Sequence, residues 1–326
     1  MSTVYIAGGI ALALLVLVAA VGIGARLAGS RISKLPDPFP TDVLRAAPEG
    51  TYTFVDRPDG TRLRVVSTGN GRTVVLAHGY GVDLSTWNLM YTDLARRGYR
   101  VIAFDQRGHG QSTIGRDGIG SAQMAGDYLA IFQSLDVRDA VLVGHSMGGF
   151  IGIRAILDLP DLGARLRGLV LMATVAGRVL RGAPQNRIQA PMLRAGLFQR
   201  ALASPVTGIA LASTICGDDP SPAQIQVFRE SFATADHVKL IPIIRALAKE
   251  DYYPRLREIA LPTLVVYGGA DRNTPEWHAR RLTEGIPGAR LIRVDGKGHL
   301  IYWEAAQAMV EVVESLTGTA RDASSH

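Results

Sequence analysis

A rhythm in the chain limits its architecture more than any single motif: short β-branched runs recur between stretches of helical pattern. The runs are YTFV at 52, LRVVS at 63, TVVLA at 73, VIAFD at 101, AVLVG at 140, GLVLMA at 168, TLVVYG at 263 and ARLIRV at 289. The first two flank Pro58-Asp59-Gly60 and predict an antiparallel hairpin; the later ones alternate with helical patterns such as 122–135 and 147–158. Strands separated by helices imply βαβ units, so the expected class is α/β, with a mostly parallel sheet flanked by helices. The alternation breaks between 176 and 260, where a helix-rich stretch predicts an inserted helical cap. The core is then expected at 51–175 and 261–326. With 47% apolar and 20% charged residues, the 326-residue chain can bury such a core and is not a disordered polymer.

The N-terminus reads differently. Val4 to Ala25 carries no charge, and at ~1.5 Å per residue this run reaches ~33 Å, enough to cross a bilayer. Met1 to Tyr5 lacks the basic side chain a cleaved signal peptide wants ahead of a shorter apolar core, so 1–35 is expected to be a membrane anchor with a transmembrane helix at 4–25. Arg26, Arg31, Lys34 and Arg45 follow the span, which places the folded domain on the cytoplasmic side. Four prolines in 36–50 predict an extended linker. The net charge of +6, 35 basic less 29 acidic residues, is scattered, which argues against a nucleic-acid partner. A lone cysteine, Cys216, supplies neither a disulfide framework nor a zinc-type cluster.

Chemistry gathers at the strand ends. Gly144-His145-Ser146-Met147-Gly148-Gly149 follows one apolar strand and precedes a helical pattern. In such a G-x-S-x-G turn the serine occupies a strained strand-to-helix bend, and glycines two positions to either side avoid collision. A serine hydroxyl needs a base, and the base needs a carboxylate to orient it. Asp271, after TLVVYG, and His299, after the last strand, supply both in the order serine, aspartate, histidine. Asp251 and Asp295 compete for the acid role; Asp295 sits in a bend where an aspartate ordinarily bonds local backbone, and Asp271 is preferred on its post-strand position. Trp87, Trp277 and Trp303 lie in helical patterns and are expected to pack.

Four motifs together make 51–316 resemble the α/β-hydrolase family in its serine esterase and lipase branch: His78-Gly79-Tyr80-Gly81, Asp105 to Ser112, the serine elbow, and the Asp271 and His299 loops. The resemblance implies an α/β-hydrolase fold, a triad of Ser146, Asp271 and His299, and an oxyanion hole from the backbone N–H groups of Tyr80 and Met147. It implies that the Asp105–Ser112 stretch is a structural loop. Because the elbow carries serine and not aspartate, epoxide opening and dehalogenation are disfavoured. The expected activity is hydrolysis of a small-molecule carboxylic ester with no metal and no cofactor required; thioester, amide, perhydrolytic or C–C chemistry, or a non-catalytic binding role, remain the alternatives. Between Gly177 and Arg200, Arg178, Arg181, Arg187, Arg194 and Arg200 interleave with apolar residues. Such an element either rests on an anionic leaflet, making the substrates lipid-derived, or is an ordinary cap helix with solvated arginines.

Overall fold

The computed structural model describes residues 22–181, 191–192, 195–204 and 207–317. Residues 4–21 of the expected span lie outside them, and among the described residues no helix is long and apolar enough to cross a membrane. All eight predicted strands form: β1 Thr51–Asp56, β2 Arg62–Thr68, β3 Thr73–Ala77, β4 Arg100–Phe104, β5 Ala140–His145, β6 Leu166–Met172, β7 Thr263–Gly268 and β8 Arg290–Val294. They make one sheet in the order β1-β2-β4-β3-β5-β6-β7-β8. β2 runs antiparallel to β1 and β4, and every other neighbouring pair is parallel.

Burial explains the strand composition. β3, β5 and β7 are buried along their whole length, because helices cover both faces of a parallel sheet and leave no solvated side to alternate toward. Helices α1 (Asn88–Arg96) and α9 (Ala306–Thr317) pack one face through Met90, Leu94, Val310 and Val313. On the other lie α2 (Ser121–Ser134), α3 (Met147–Asp158) and α8 (Glu276–Gly285), through Ile131, Phe150 and Leu282. The edge strand β1 exposes Tyr52 and Phe54, and Arg64 and Arg62 each hold a guanidinium 4.4 Å from one of these rings. These contacts cover the exposed aromatic face of the strand.

Between β6 and β7 the chain leaves the sheet to build α4 (Leu197–Ala203), α5 (Gly208–Ser213), α6 (Pro222–Thr234), α7 (Ile241–Lys249) and a 3-10 turn at Tyr253–Glu258. Its two ends are tied together: Gly177 bridges Asp251, and Tyr252 N–H donates to the Ala176 carbonyl at 2.8 Å.

The segment read as an extended linker is instead packed. Its prolines stop a helix only as far as Pro40, and Thr41–Arg45 then forms one, with Leu44 fully buried. Asp37 accepts from the Ser221 hydroxyl and, at 3.0 Å, from Ala223 N–H at the start of α6, while Arg45 meets Glu230 of the same helix at 2.5 Å. Further upstream, residues 22–32 are helical, and Gly29 lies against Ile209 of α5. Phe39 and Ile32 are apolar and pack, partly buried, against the apolar cluster on this side of the sheet, so the segment does not stay solvated.

Candidate active site

Ser146 sits between β5 and α3 at φ 51°, ψ −118°, a conformation costly for a residue with a Cβ. Surrounding bonds hold it there: Ser146 N–H donates to Met172 O at 2.9 Å, and its carbonyl accepts from Gly149 N–H at 3.1 Å and from the Thr174 hydroxyl. A Cβ at Gly144 would fall 2.5 Å from Gly149 Cα, and one at Gly148 would strike the Ala77 carbonyl. Both glycines are therefore required by close approach of backbone to backbone.

The loops after β7 and β8 bring Asp271 and His299 to this serine. Asp271 Oδ2 lies 2.8 Å from His299 Nδ1, and His299 Nε2 lies 3.1 Å from Ser146 Oγ. Since the carboxylate only accepts, the imidazole proton sits on Nδ1 and Nε2 is free to take the serine proton. Asp271 also accepts from Asn273 N–H at 2.8 Å, Thr274 N–H at 3.0 Å and the Thr274 hydroxyl at 2.6 Å. Burial pushes its carboxyl pKa up, but the bonds from His299 and Thr274 outweigh that and leave it below the ordinary value, so the group is ionised. The competing acids stand elsewhere. Asp295 is an exposed partner of Arg293 at 2.6 Å, a side-chain pair and not the backbone bond expected of it, and Asp251 pairs with Arg178 at 2.5 Å.

Tyr80 follows β3 between Gly79 and Gly81, and Met147 is the first residue of α3. Among the described residues nothing accepts from either N–H, as a helix start and a glycine-flanked turn allow. A Cβ at Gly79 would come within 2.8 Å of His145 Nδ1 and 3.3 Å of Ser146 Cβ, so glycine there lets the Tyr80 loop lie on the elbow. His78 braces the loop from below. Its Nε2 accepts from Gln106 N–H at 3.0 Å, so Nδ1 carries the proton and donates to Gly79 O at 2.7 Å. Burial draws this imidazole down to about 4, which keeps it neutral.

The Asp105–Ser112 stretch does not line the cavity. Asp105 accepts from Leu84 N–H at 2.9 Å and Gln111 N–H at 2.8 Å, and buried Arg107 bridges Asp59 at 2.5 Å and Asp127 at 2.7 Å. Trp87 and Trp303 are buried packing groups; Trp277 differs in carrying the Arg181 guanidinium 4.5 Å above its ring. Arg178 and Arg181 are thus both engaged by the protein, while Arg187 and Arg194 lie outside the described residues.

Ser146 and His299 open into a cavity of about 320 Å³. One wall is the sheet edge; the other comes from the insertion, notably Phe198, Phe228, Phe232, Ile244 and Leu247. None of the described lining residues is Asp, Glu, Lys or Arg. Sequence reasoning missed Phe228, Phe232 and Ile244 as site residues. Their only signal was apolar spacing on short helices, which is equally the signal of core packing.

A mostly parallel sheet with a serine elbow after β5, an aspartate after β7 and a histidine after β8 defines the class of protein. The profile described as "Alpha/beta hydrolase family" matches residues 74–312. The chain belongs to the alpha/beta hydrolase family. It is 28% identical to the AB hydrolase superfamily protein YisY of Bacillus subtilis over 269 residues, covering 82% of this chain and 99% of that one. It is 30% identical to a 2-hydroxy-6-oxononadienedioate/2-hydroxy-6-oxononatrienedioate hydrolase of Cupriavidus pinatubonensis, covering 82% and 96%. Among solved structures, the enol-lactonase of Burkholderia xenovorans LB400 superposes with TM-score 0.70 at 25% identity, covering 82% and 99%. An esterase of Exiguobacterium antarcticum shares the fold with TM-score 0.69 at 24% identity, covering 82% and 100%. The fold is accordingly the α/β-hydrolase fold.

Proposed function

We propose that this protein is a serine hydrolase that cleaves carboxylic esters of neutral, lipophilic acids through an acyl-enzyme on Ser146. The carrying observation is the relay of 2.8 Å and 3.1 Å from Asp271 through His299 to Ser146 Oγ, at the mouth of a cavity whose described lining residues include no Asp, Glu, Lys or Arg. In this reading Oγ attacks the ester carbonyl as His299 Nε2 takes its proton, and Asp271 stabilises the imidazolium. The Tyr80 and Met147 N–H groups face the oxygen that becomes negative. The proton passes from His299 to the leaving alcohol; water, deprotonated by His299, then attacks the acyl-enzyme and releases the acid.

Cavity chemistry supports a neutral acyl group. A diacid such as the dienedioate in the Cupriavidus relative's name would leave a carboxylate without a cationic partner among the described lining residues. The test is a fluorophosphonate probe together with p-nitrophenyl esters of rising acyl length. Labelling and turnover by wild type, both lost in Ser146→Ala, uphold the reading; an unlabelled, inactive wild type refutes it.

The anchor belongs to the same proposal. Residues 4–25 hold the enzyme in a membrane with the folded domain cytoplasmic, supported by the uncharged run and the basic residues that follow it. Carbonate-resistant membrane association, with the domain protease-sensitive only after the cytoplasmic face is opened, is the expected outcome; release by high salt would refute it.

A further inference from the structure

Tyr80 has a demanding position. As an oxyanion donor its N–H must keep one direction, yet it lies between Gly79 and Gly81, and Gly81 adopts φ 74°. Glycines on both sides give that short stretch more backbone freedom than any other residue would. His78 holds the Gly79 carbonyl from one side, and a restraint on Tyr80 itself comes from its side chain.

That side chain reaches across the cavity to the insertion. Its hydroxyl lies 2.9 Å from His237 Nδ1, in the turn between α6 and α7, and His237 is 1% exposed. His237 Nε2 lies 2.6 Å from the Phe232 carbonyl. A carbonyl only accepts, so Nε2 carries the proton, Nδ1 is bare, and the Tyr80 hydroxyl is the donor. Phe232 closes the unit: its ring packs 4.4 Å from the His237 ring and 5.9 Å from that of Tyr80. It also fills the space beside Gly81, where an added Cβ would fall 2.7 Å from the ring.

We propose that His237 is a positioning residue for the oxyanion hole: borne by the insertion, it latches the Tyr80 side chain and so aims the Tyr80 N–H at the oxygen developing on the Ser146 adduct. The inference rests on the acyl-enzyme reading above and adds to it a role for the insertion in the chemical step. His237 is not itself among the residues that line the cavity; its contacts there are to Tyr80 and Phe232, and Tyr80 is the one that links it to the oxyanion hole.

The test compares His237→Phe, Tyr80→Phe and the double variant with His237→Gln, whose amide oxygen can accept the tyrosine proton. Loss of a whole oxyanion donor costs ~100- to 1,000-fold in kcat, and a donor present but loosely aimed is expected to cost roughly tenfold. His237→Phe and Tyr80→Phe should each lower kcat on p-nitrophenyl butyrate by that factor with KM within about twofold. The double variant should be no worse than the worse single, because both changes break one bond. His237→Gln should recover most of kcat. Affinity for a trifluoromethyl ketone, whose hemiketal carries the oxyanion, should fall in parallel with kcat/KM, which a packing role alone would not produce. Unchanged kcat and ketone affinity in a folded His237→Phe, or losses that multiply in the double variant, overturn the latch. A wild type that neither labels with fluorophosphonate nor turns over removes the hydrolase reading, and the latch with it.

Discussion

The sheet edge and the insertion between β6 and β7 face each other across one cavity and are built on opposite terms. On the sheet side, Ser146 and Asp271 follow β5 and β7, strands buried throughout and laddered on both sides, and His299 follows the edge strand β8, laddered to β7 alone; backbone bonds along these ladders set the spacing of the three loops. On the other, helices of 6 to 13 residues supply apolar walls and a few polar ties back to the core. His299 N–H donates to Ile215 O at 2.7 Å, and Glu304 accepts from both Gly217 and Gly298 at 2.9 Å. The contrast teaches a division of labour. In the proposed reading the sheet side carries the bond-making groups, and the insertion sets the shape those groups serve.

The largest effect should come from the sheet side. Ser146→Ala or His299→Ala should lower kcat by ~10⁶-fold and Asp271→Ala by ~10⁴-fold, with the triple variant little worse than Ser146→Ala. Asp251→Ala and Asp295→Ala should retain activity within severalfold; if either abolished turnover in a folded protein, the acid assignment would fail.

Next in size is a change in the insertion wall. Ile244→Trp fills part of the cavity, so kcat/KM for long acyl chains should drop by about 10- to 100-fold relative to acetate while the fluorophosphonate labelling rate holds. Loss of acetate and long-chain activity alike would show that the wall also orders the chemistry.

Acid should act mainly on the core. His78 and His278 are drawn down to about 4, and His109 and His145 to about 3, by burial in the folded chain. Between those values and the ordinary 6.5 the unfolded chain binds more protons, so stability present at neutral pH is lost as pH falls below about 6.5. Each such histidine adds up to ~1.4 kcal/mol per pH unit to the decline. Urea midpoints measured from pH 7.5 to 5 check this; a flat profile would show that these imidazoles titrate normally.

The smallest effect belongs to the neck of the insertion. The Arg178 side chain is half exposed in its pair with Asp251, so Arg178→Ala should cost under ~1 kcal/mol in chemical denaturation and leave activity within twofold. A larger fall in activity would mean that the neck orders the cavity and is not a passive hinge.

Legibility in the sequence followed the range of each interaction. The eight strands were readable because the hydrophobic period is a local signal, and the elbow because Gly144 and Gly148 must avoid backbone only a few residues or one strand away. Preference for Asp271 over Asp251 and Asp295 was a positional argument until the loops placed it 2.8 Å from His299. The packing of 36–50 was not legible: four prolines mask the burial of Leu44, which depends on a surface formed by α1 and α6.

By itself the sequence determined the α/β class, the family, and the serine, aspartate and histidine to expect, because strand rhythm and turn glycines are written within a few residues of where they act. Only the tertiary structure decided which walls enclose the serine and what holds Tyr80. Those contacts join residues far apart in the chain, 157 positions for Tyr80 and His237 and 153 for Ser146 and His299. Such pairs exist only once the strand order and the path of the insertion are set, and no local period or spacing carries that information.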